Sequence, residues 1–191
     1  MKLKHTAAAV LACWLLAGTA SAAPLAAFSA TPSNTTISQA NSLNVVFTSR
    51  GGFSSLGYID LKLPSTFTVS NPSGNCAQIA VTVDGAPASI MECGRGGAGE
   101  LFARMNDPIP DGATVRVIYS SSLIVNPAAP GPYLFLFETT SGGVIIGEAS
   151  ATLSIAAPAP IPTMTEWAMI LLGVLLAGSA ALMIQRRRMA A

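Results

Sequence analysis

Few residues in this sequence are able to do covalent chemistry. Its one histidine, His5, and one of its three cysteines, Cys13, fall in the first 22 residues, which read as a removable leader. Cys76 and Cys93 remain. Asp84-Gly85 lies between two alternating runs, residues 77–83 and 86–93, and favours a two-residue type I′ hairpin turn. That turn sets Val83 opposite Ala86, Val81 opposite Ala88, Ile79 opposite Ile90 and Cys76 opposite Cys93. Alternating the rungs outward from the turn makes the cysteine pair non-hydrogen-bonded, with Cα atoms about 4.5 Å apart and within disulfide reach. Pro87 falls in a pair of the same kind, so its missing N–H breaks no rung. The expected chemistry is a disulfide between Cys76 and Cys93. It would close a loop of about 16 residues and add around 3 kcal/mol.

Catalysis has little to work with. No histidine follows His5, so neither a Ser-His nor a Cys-His dyad can form, and no histidine can ligate a metal. The wide spacing of Cys76 and Cys93 excludes a CxxC redox motif. Asp107 and Asp111 lie four apart beside Asn106, which suggests calcium, but Pro108, Pro110 and Gly112 read more simply as a turn. Glu92 and Glu100 flank the Gly94-Arg-Gly-Gly97 loop and invite an acid–base reading; the plainer one is two solvated hairpin charges. That loop lacks the lysine and helix of a phosphate loop. Asn34-Thr35-Thr36 matches a glycosylation acceptor and equally a polar loop. The sequence assigns no catalytic residue, no metal and no cofactor, and the expectation is a protein that is not an enzyme.

The elements that would position Cys76 and Cys93 are strands. Residues 42–48 alternate around Leu43, Val45 and Phe47. In residues 58–63, Ile59, Leu61 and Leu63 fall on one side and Tyr58, Asp60 and Lys62 on the other. Val115, Val117 and Tyr119 alternate likewise, and residues 144–155 form a last strand region. Residues 134–137 are continuously apolar, as a strand buried on both faces would be. Gly-, Pro- and Asn-rich clusters separate these runs. The pattern predicts an all-β antiparallel sandwich over residues 23–157. This domain lacks Trp, so an antibody-type Cys…Trp…Cys core is absent. Residues 23–160 hold five basic and eight acidic side chains, a net charge of −3, without a basic stripe. Nucleic acid is excluded as a partner.

Both ends are directed to a membrane. Lys2 and Lys4, an apolar centre at residues 7–17 and Ala20-Ser21-Ala22 make residues 1–22 a signal peptide, with cleavage between Ala22 and Ala23. The apolar run continues past Cys13, which argues against a lipoprotein signal. The implied partners are the Sec machinery and signal peptidase. At the other end, residues 158–166 form a proline-rich linker and a short polar motif. Residues 167–185 are an uncharged stretch long enough to span a bilayer. Gly173 and Ala177 on it read as ordinary membrane-helix residues more readily than as a packing face. Residues 186–191 form a basic cytoplasmic tail. Arg186, Arg187 and Arg188 stop the span, and Trp167 sits where an interfacial aromatic belongs. The domain then lies outside, in a compartment where disulfides persist.

The tail carries a resemblance. Ile161, Pro162, Thr163 and Trp167 match the IPTL-CTERM sorting tail, whose pattern is Ile-Pro-Thr-Leu-x-x-Trp-Gly; Met164 replaces the Leu and Ala168 the Gly. The resemblance implies a Gram-negative bacterial protein whose tail is read by an exosortase-type transpeptidase. A plain single-pass anchor is the alternative. Residues 41–155 resemble, more loosely, Ig-like modules of bacterial surface proteins. The resulting expectation is a surface or extracellular-matrix protein with a structural role. The alternative is an adhesion module for a polysaccharide or protein ligand, and a secreted hydrolase is a distant third.

Overall fold

The structure, a computed structural model, describes residues 22–53, 55–160 and 164–189. The expected leader, Ala22 excepted, and the motif residues Ile161, Pro162 and Thr163 lie outside the described residues. The chain divides into two units, Met1–Ala157 and Pro158–Ala191. In the first, the strands in chain order are β1 (Ala23–Pro24), β2 (Ala26–Pro32), β3 (Ala40–Thr48), β4 (Tyr58–Lys62), β5 (Thr68–Val69) and β6 (Ile79–Val83). They continue with β7 (Ala86–Ala88), β8 (Ile90–Arg95), β9 (Glu100–Met105), β10 (Thr114–Val125), β11 (Gly131–Ser141) and β12 (Val144–Ile155). One sheet runs β1-β12-β11-β4-β9-β8; the other runs β2-β3-β10-β6-β7, with β5 also on β10. The β-sandwich read from the sequence is the fold.

Period-two alternation builds its core. Leu43, Val45 and Phe47 of β3, Ile59 and Leu61 of β4, and Val115, Val117 and Tyr119 of β10 are buried. Phe47 and Phe137, from opposite sheets, stand 5.2 Å apart between ring centroids. Each such aromatic contributes about 2–3 kcal/mol by leaving water. Phe28 of β2 packs on Phe137 at 5.7 Å and closes one flank. Gly99, at φ +84°, brings the start of β9 under the end of β4; a Cβ there would lie 2.2 Å from Leu63 O.

Two expectations are corrected. Residues 134–137 are not buried on both faces. Phe135 and Phe137 point into the core, but Leu134 alternates to the outer face of β11 and is 64% exposed opposite Thr152. The Asp84-Gly85 hairpin forms, with φ 49° and 83°, and pairs Val83–Ala86, Thr82–Pro87 and Val81–Ala88 as expected. Beyond Ala88 the ladder ends. The Ser89 N–H and hydroxyl donate to Asp107 Oδ2 at 2.9 and 2.6 Å, and the Asn106 N–H donates to Ser89 O at 3.0 Å. These bonds turn the chain out of one sheet, and β8 joins β9 in the other. Ile79 and Ile90 are therefore not partners, and Cys76 and Cys93 are not opposite each other in a hairpin.

Candidate functional site

The second unit is built around one helix, α1 (Met164–Met189). Its span Trp167–Arg186 has 20 residues and a mean hydropathy of 2.3. At about 1.5 Å per residue it is about 30 Å long, the thickness of a hydrocarbon core. Its described side chains are exposed all round, including Trp167, Leu171, Leu175 and Leu182. Such a helix suits lipid, since all its backbone groups are satisfied internally. The one hydroxyl on the span, Ser179 Oγ, donates to Leu176 O at 2.8 Å, which removes the cost of exposing it to hydrocarbon. The helix starts at Met164, three residues before the start read from the sequence. Met164, Trp167 and Ala168 thus share one helix with Arg186, Arg187 and Arg188.

On the sandwich, the outer face of the β12-β11-β4-β9-β8 sheet gathers charge. Pairing lines up Glu148, Glu138, Asp60 and Phe102 across four adjacent strands. Lys62 donates to Glu138 Oε2 at 2.6 Å, which raises the lysine's pKa. Burial, with Glu100 and Glu138 nearby, pushes the Asp60 carboxyl up to about 6, against the opposing pull of Lys62. The Phe102 ring lies over Gly94, where a Cβ would sit 2.6 Å from it. Tyr58 meets Phe102 edge-on at 6.1 Å, and the Arg104 guanidinium lies 5.5 Å from the Tyr58 centroid. Arg104 also reaches Glu92 at 3.7 Å. Tyr58, Asp60, Glu92, Gly96, Glu100, Phe102 and Thr140 line an open hollow of about 280 Å³. Its carboxylates and rings suit hydroxyl- or ammonium-bearing groups. The sequence placed Asp60 and Lys62 on an outward face. It did not show the row, because that row requires the register of four strands far apart in sequence.

The other sequence candidates separate. Cys76 and Cys93 are bonded, with Cα atoms 5.7 Å apart. Asp107 serves Ser89, and those two hydrogen bonds hold its carboxyl below the usual range. Asp111 accepts instead from the Gly51 N–H at 2.8 Å. The two carboxylates thus organise different turns. Glu100 accepts from the Gly97 N–H at 3.0 Å and folds the loop between β8 and β9. No group of three or more His, Cys, Asp or Glu side chains fit to hold a metal occurs among the described residues. Ala22 precedes β1, and Ala23 is that strand's first residue.

A β-sandwich followed by a short proline-rich segment and an apolar, membrane-length helix defines a membrane-anchored protein of the cell envelope. Residues 159–188 match the IPTL-CTERM motif, which adds a sorting system as processing partner. The sandwich is similar to the N-terminal domain of the Streptococcus gordonii adhesin Sgo0707, at 8% identity and TM-score 0.45, covering 68% of this chain and 31% of that one. It is similar to BslA, a bacterial hydrophobin, at 19% and 0.41, covering 68% and 98%. It is also similar to the collagen-binding domain of a Staphylococcus aureus adhesin, at 7% and 0.35, covering 66% and 96%. At these scores the likenesses are architectural alone, and the chain spans about a third of the Sgo0707 domain. No curated protein matches the chain.

Proposed function

We propose that the chain is an exported, non-enzymatic protein of a Gram-negative envelope. Residues 1–22 direct it to the Sec machinery, and signal peptidase cuts between Ala22 and Ala23. The sandwich, of the Ig-like kind found in bacterial surface proteins, stays outside. The helix holds the chain in the inner membrane until an exosortase-type transpeptidase reads Ile161–Ala168. The carrying observation is the motif match over residues 159–188 on a helix of membrane length. Intact mass of the protein from native membranes and from the surface tests this: a surface form shortened at both ends supports it, and a full-length form throughout contradicts it.

A second reading, a surface binding module, is favoured by the hollow on the outer sheet face, where Tyr58 and Phe102 stand among carboxylates. Pull-downs on glycans and matrix proteins with Tyr58→Ala as control separate it from a purely structural role.

A further inference from the structure

The sandwich has four strand edges, and three are short, bulged or covered. β7 is three residues long and contains Pro87. β2 bulges after Ala26, with Ala27 at φ 48°, and ends on Pro32. β8 is covered by the end of β5 and the loop before β6: the Arg95 N–H donates to Asn71 Oδ1 at 3.0 Å, its guanidinium to Val69 O at 3.0 Å, and Cys93 fastens Cys76. Blunting of this kind keeps sheets from pairing edge to edge. The β12 edge is different. β1 covers it only at Gly147 and Glu148, and Thr36 bridges it at Ala156. Residues 149–155 between them carry neither a charge nor a proline.

Hydrogen bonds at both ends of this gap fix which groups face outward. Glu148 O accepts from the Leu25 N–H. Ala156 donates to Thr35 O and accepts from the Ile37 N–H. Along this regular stretch the even-numbered residues therefore turn N–H and C=O away from β11. Pro132, which has no N–H to give, stands opposite Ser154, consistent with a non-hydrogen-bonded pair. Ser150, Thr152 and Ser154 present three N–H and three C=O groups to an edge where no strand among the described residues pairs with them.

The segment after β12 has the complementary pattern. Pro158, Pro160 and Pro162 alternate with Ala157, Ala159 and Ile161. Alternate residues of an extended strand direct their N–H groups to opposite sides. This segment can therefore pair along its alanine side and not along its proline side. Residues preceding proline are already biased to extended backbone. Residues 157–160 are exposed and outside any strand. Ala156, where this segment leaves the sandwich, is already held by Thr35 and Ile37.

We propose that the linker of one copy, from Ala157 onward, adds as an edge strand to β12 of a second copy, opposite Ser150, Thr152 and Ser154. The open stretch is roughly 20 Å long at about 3.3 Å per residue, ample for residues 157–160 of the donor. Its prolines then cap the new edge against a further strand. Donor and acceptor surfaces differ and each copy has one of each, so association is head-to-tail and extends beyond a dimer unless it closes into a ring.

The test uses the full chain in detergent micelles, with size read by analytical ultracentrifugation. Thr152→Pro removes an outward N–H that the fold does not use, and Ala159→Pro removes a donor N–H outside the sandwich. Wild type should form dimers and longer species, and each variant alone should be monomeric. An equimolar mixture of the two should give dimers and nothing larger, because each supplies the half that the other lacks. A monomeric wild type, variants that assemble like wild type through the apolar helix, or a mixture that stays monomeric would each overturn the proposal. If Thr152→Pro does not melt as a folded protein, Ala159→Pro alone decides: assembly equal to wild type overturns the proposal.

Discussion

Cys76 and Cys93 tie the two sheets together: Cys76 closes the loop that leads into β6, Cys93 lies in β8 of the opposite sheet, and their Cα atoms stand 5.7 Å apart. Cys76 holds a left-handed backbone, φ 55°, and its N–H donates to Ser73 O, so the loop is wound tightly where the bond grips it. The double variant Cys76→Ser, Cys93→Ser should lose about 3 kcal/mol, the entropy of closing a loop of this length. Its melting temperature should fall by roughly 10 °C. Hydrogen exchange should rise first at Arg95, whose N–H is held by Asn71 of that loop. Equal melting temperatures for wild type and variant would contradict this.

The disulfide shows how far the sequence could be read. The pairing was legible because residues 23–191 hold only two cysteines, Cys76 and Cys93. The geometry was not, because a hairpin rule assumes that the ladder continues. Here Asp107, outside the hairpin, captures Ser89 and sends the chain into the other sheet. Strands with one buried face, such as Ala40–Thr48 and Tyr58–Lys62, announced themselves through alternation. β2 and β9 did not: β2 has one large apolar residue, Phe28, and in β9 the outward Phe102 blurs the alternation of Leu101, Ala103 and Met105. The outer-face row at Asp60 depends on register between β12, β11, β4 and β9, which no local pattern encodes. The tail was legible because span length, arginine stop and motif are all local.

Asp60 should give the domain a measurable pH slope. Its carboxyl titrates at about 6 when folded, above its ordinary value of 3.8. An acid with a raised pKa binds its proton more tightly in the folded state. Its contribution is thus full below the ordinary value and is lost as pH rises through about 6. Lys62, shifted up from 10.5, adds no slope in that window, and Asp107, shifted down, acts only at lower pH. From pH 4.5 to 7.5, Asp60→Asn should show a flatter stability profile than wild type, by chemical denaturation. Parallel profiles would show that Asp60 ionises without cost in the fold.

Two buried polar groups should respond in opposite directions. Asn126 accepts from Asn41 Nδ2 at 3.0 Å and donates to Asn34 O and Thr36 O at 3.0 and 2.8 Å. Asn126→Ala leaves these partners unsatisfied and should cost about 2–4 kcal/mol, with faster exchange at the Ile37 and Ala156 amides. The Tyr119 hydroxyl is buried with no hydrogen-bond partner among the described residues, and burial raises its pKa. Tyr119→Phe should therefore be neutral or stabilising by up to about 1 kcal/mol. A loss above about 1 kcal/mol would reveal a hydroxyl partner.

The most direct test of a surface-sorted protein separates recognition from insertion. Pro162→Ala with Thr163→Ala alters the polar motif and leaves the Trp167–Arg186 span and Arg186–Arg188 intact. Membrane insertion follows apolar length and the arginine stop, so it should be unchanged. An epitope placed in the Ser141-Gly142-Gly143 turn, between β11 and β12, reports the protein in membrane and surface fractions of the native host. Wild type is expected to reach the surface in a shortened form, while the double variant accumulates full-length in the membrane. If both show the same mass and the same distribution, the tail is only an anchor and the sorting account is wrong.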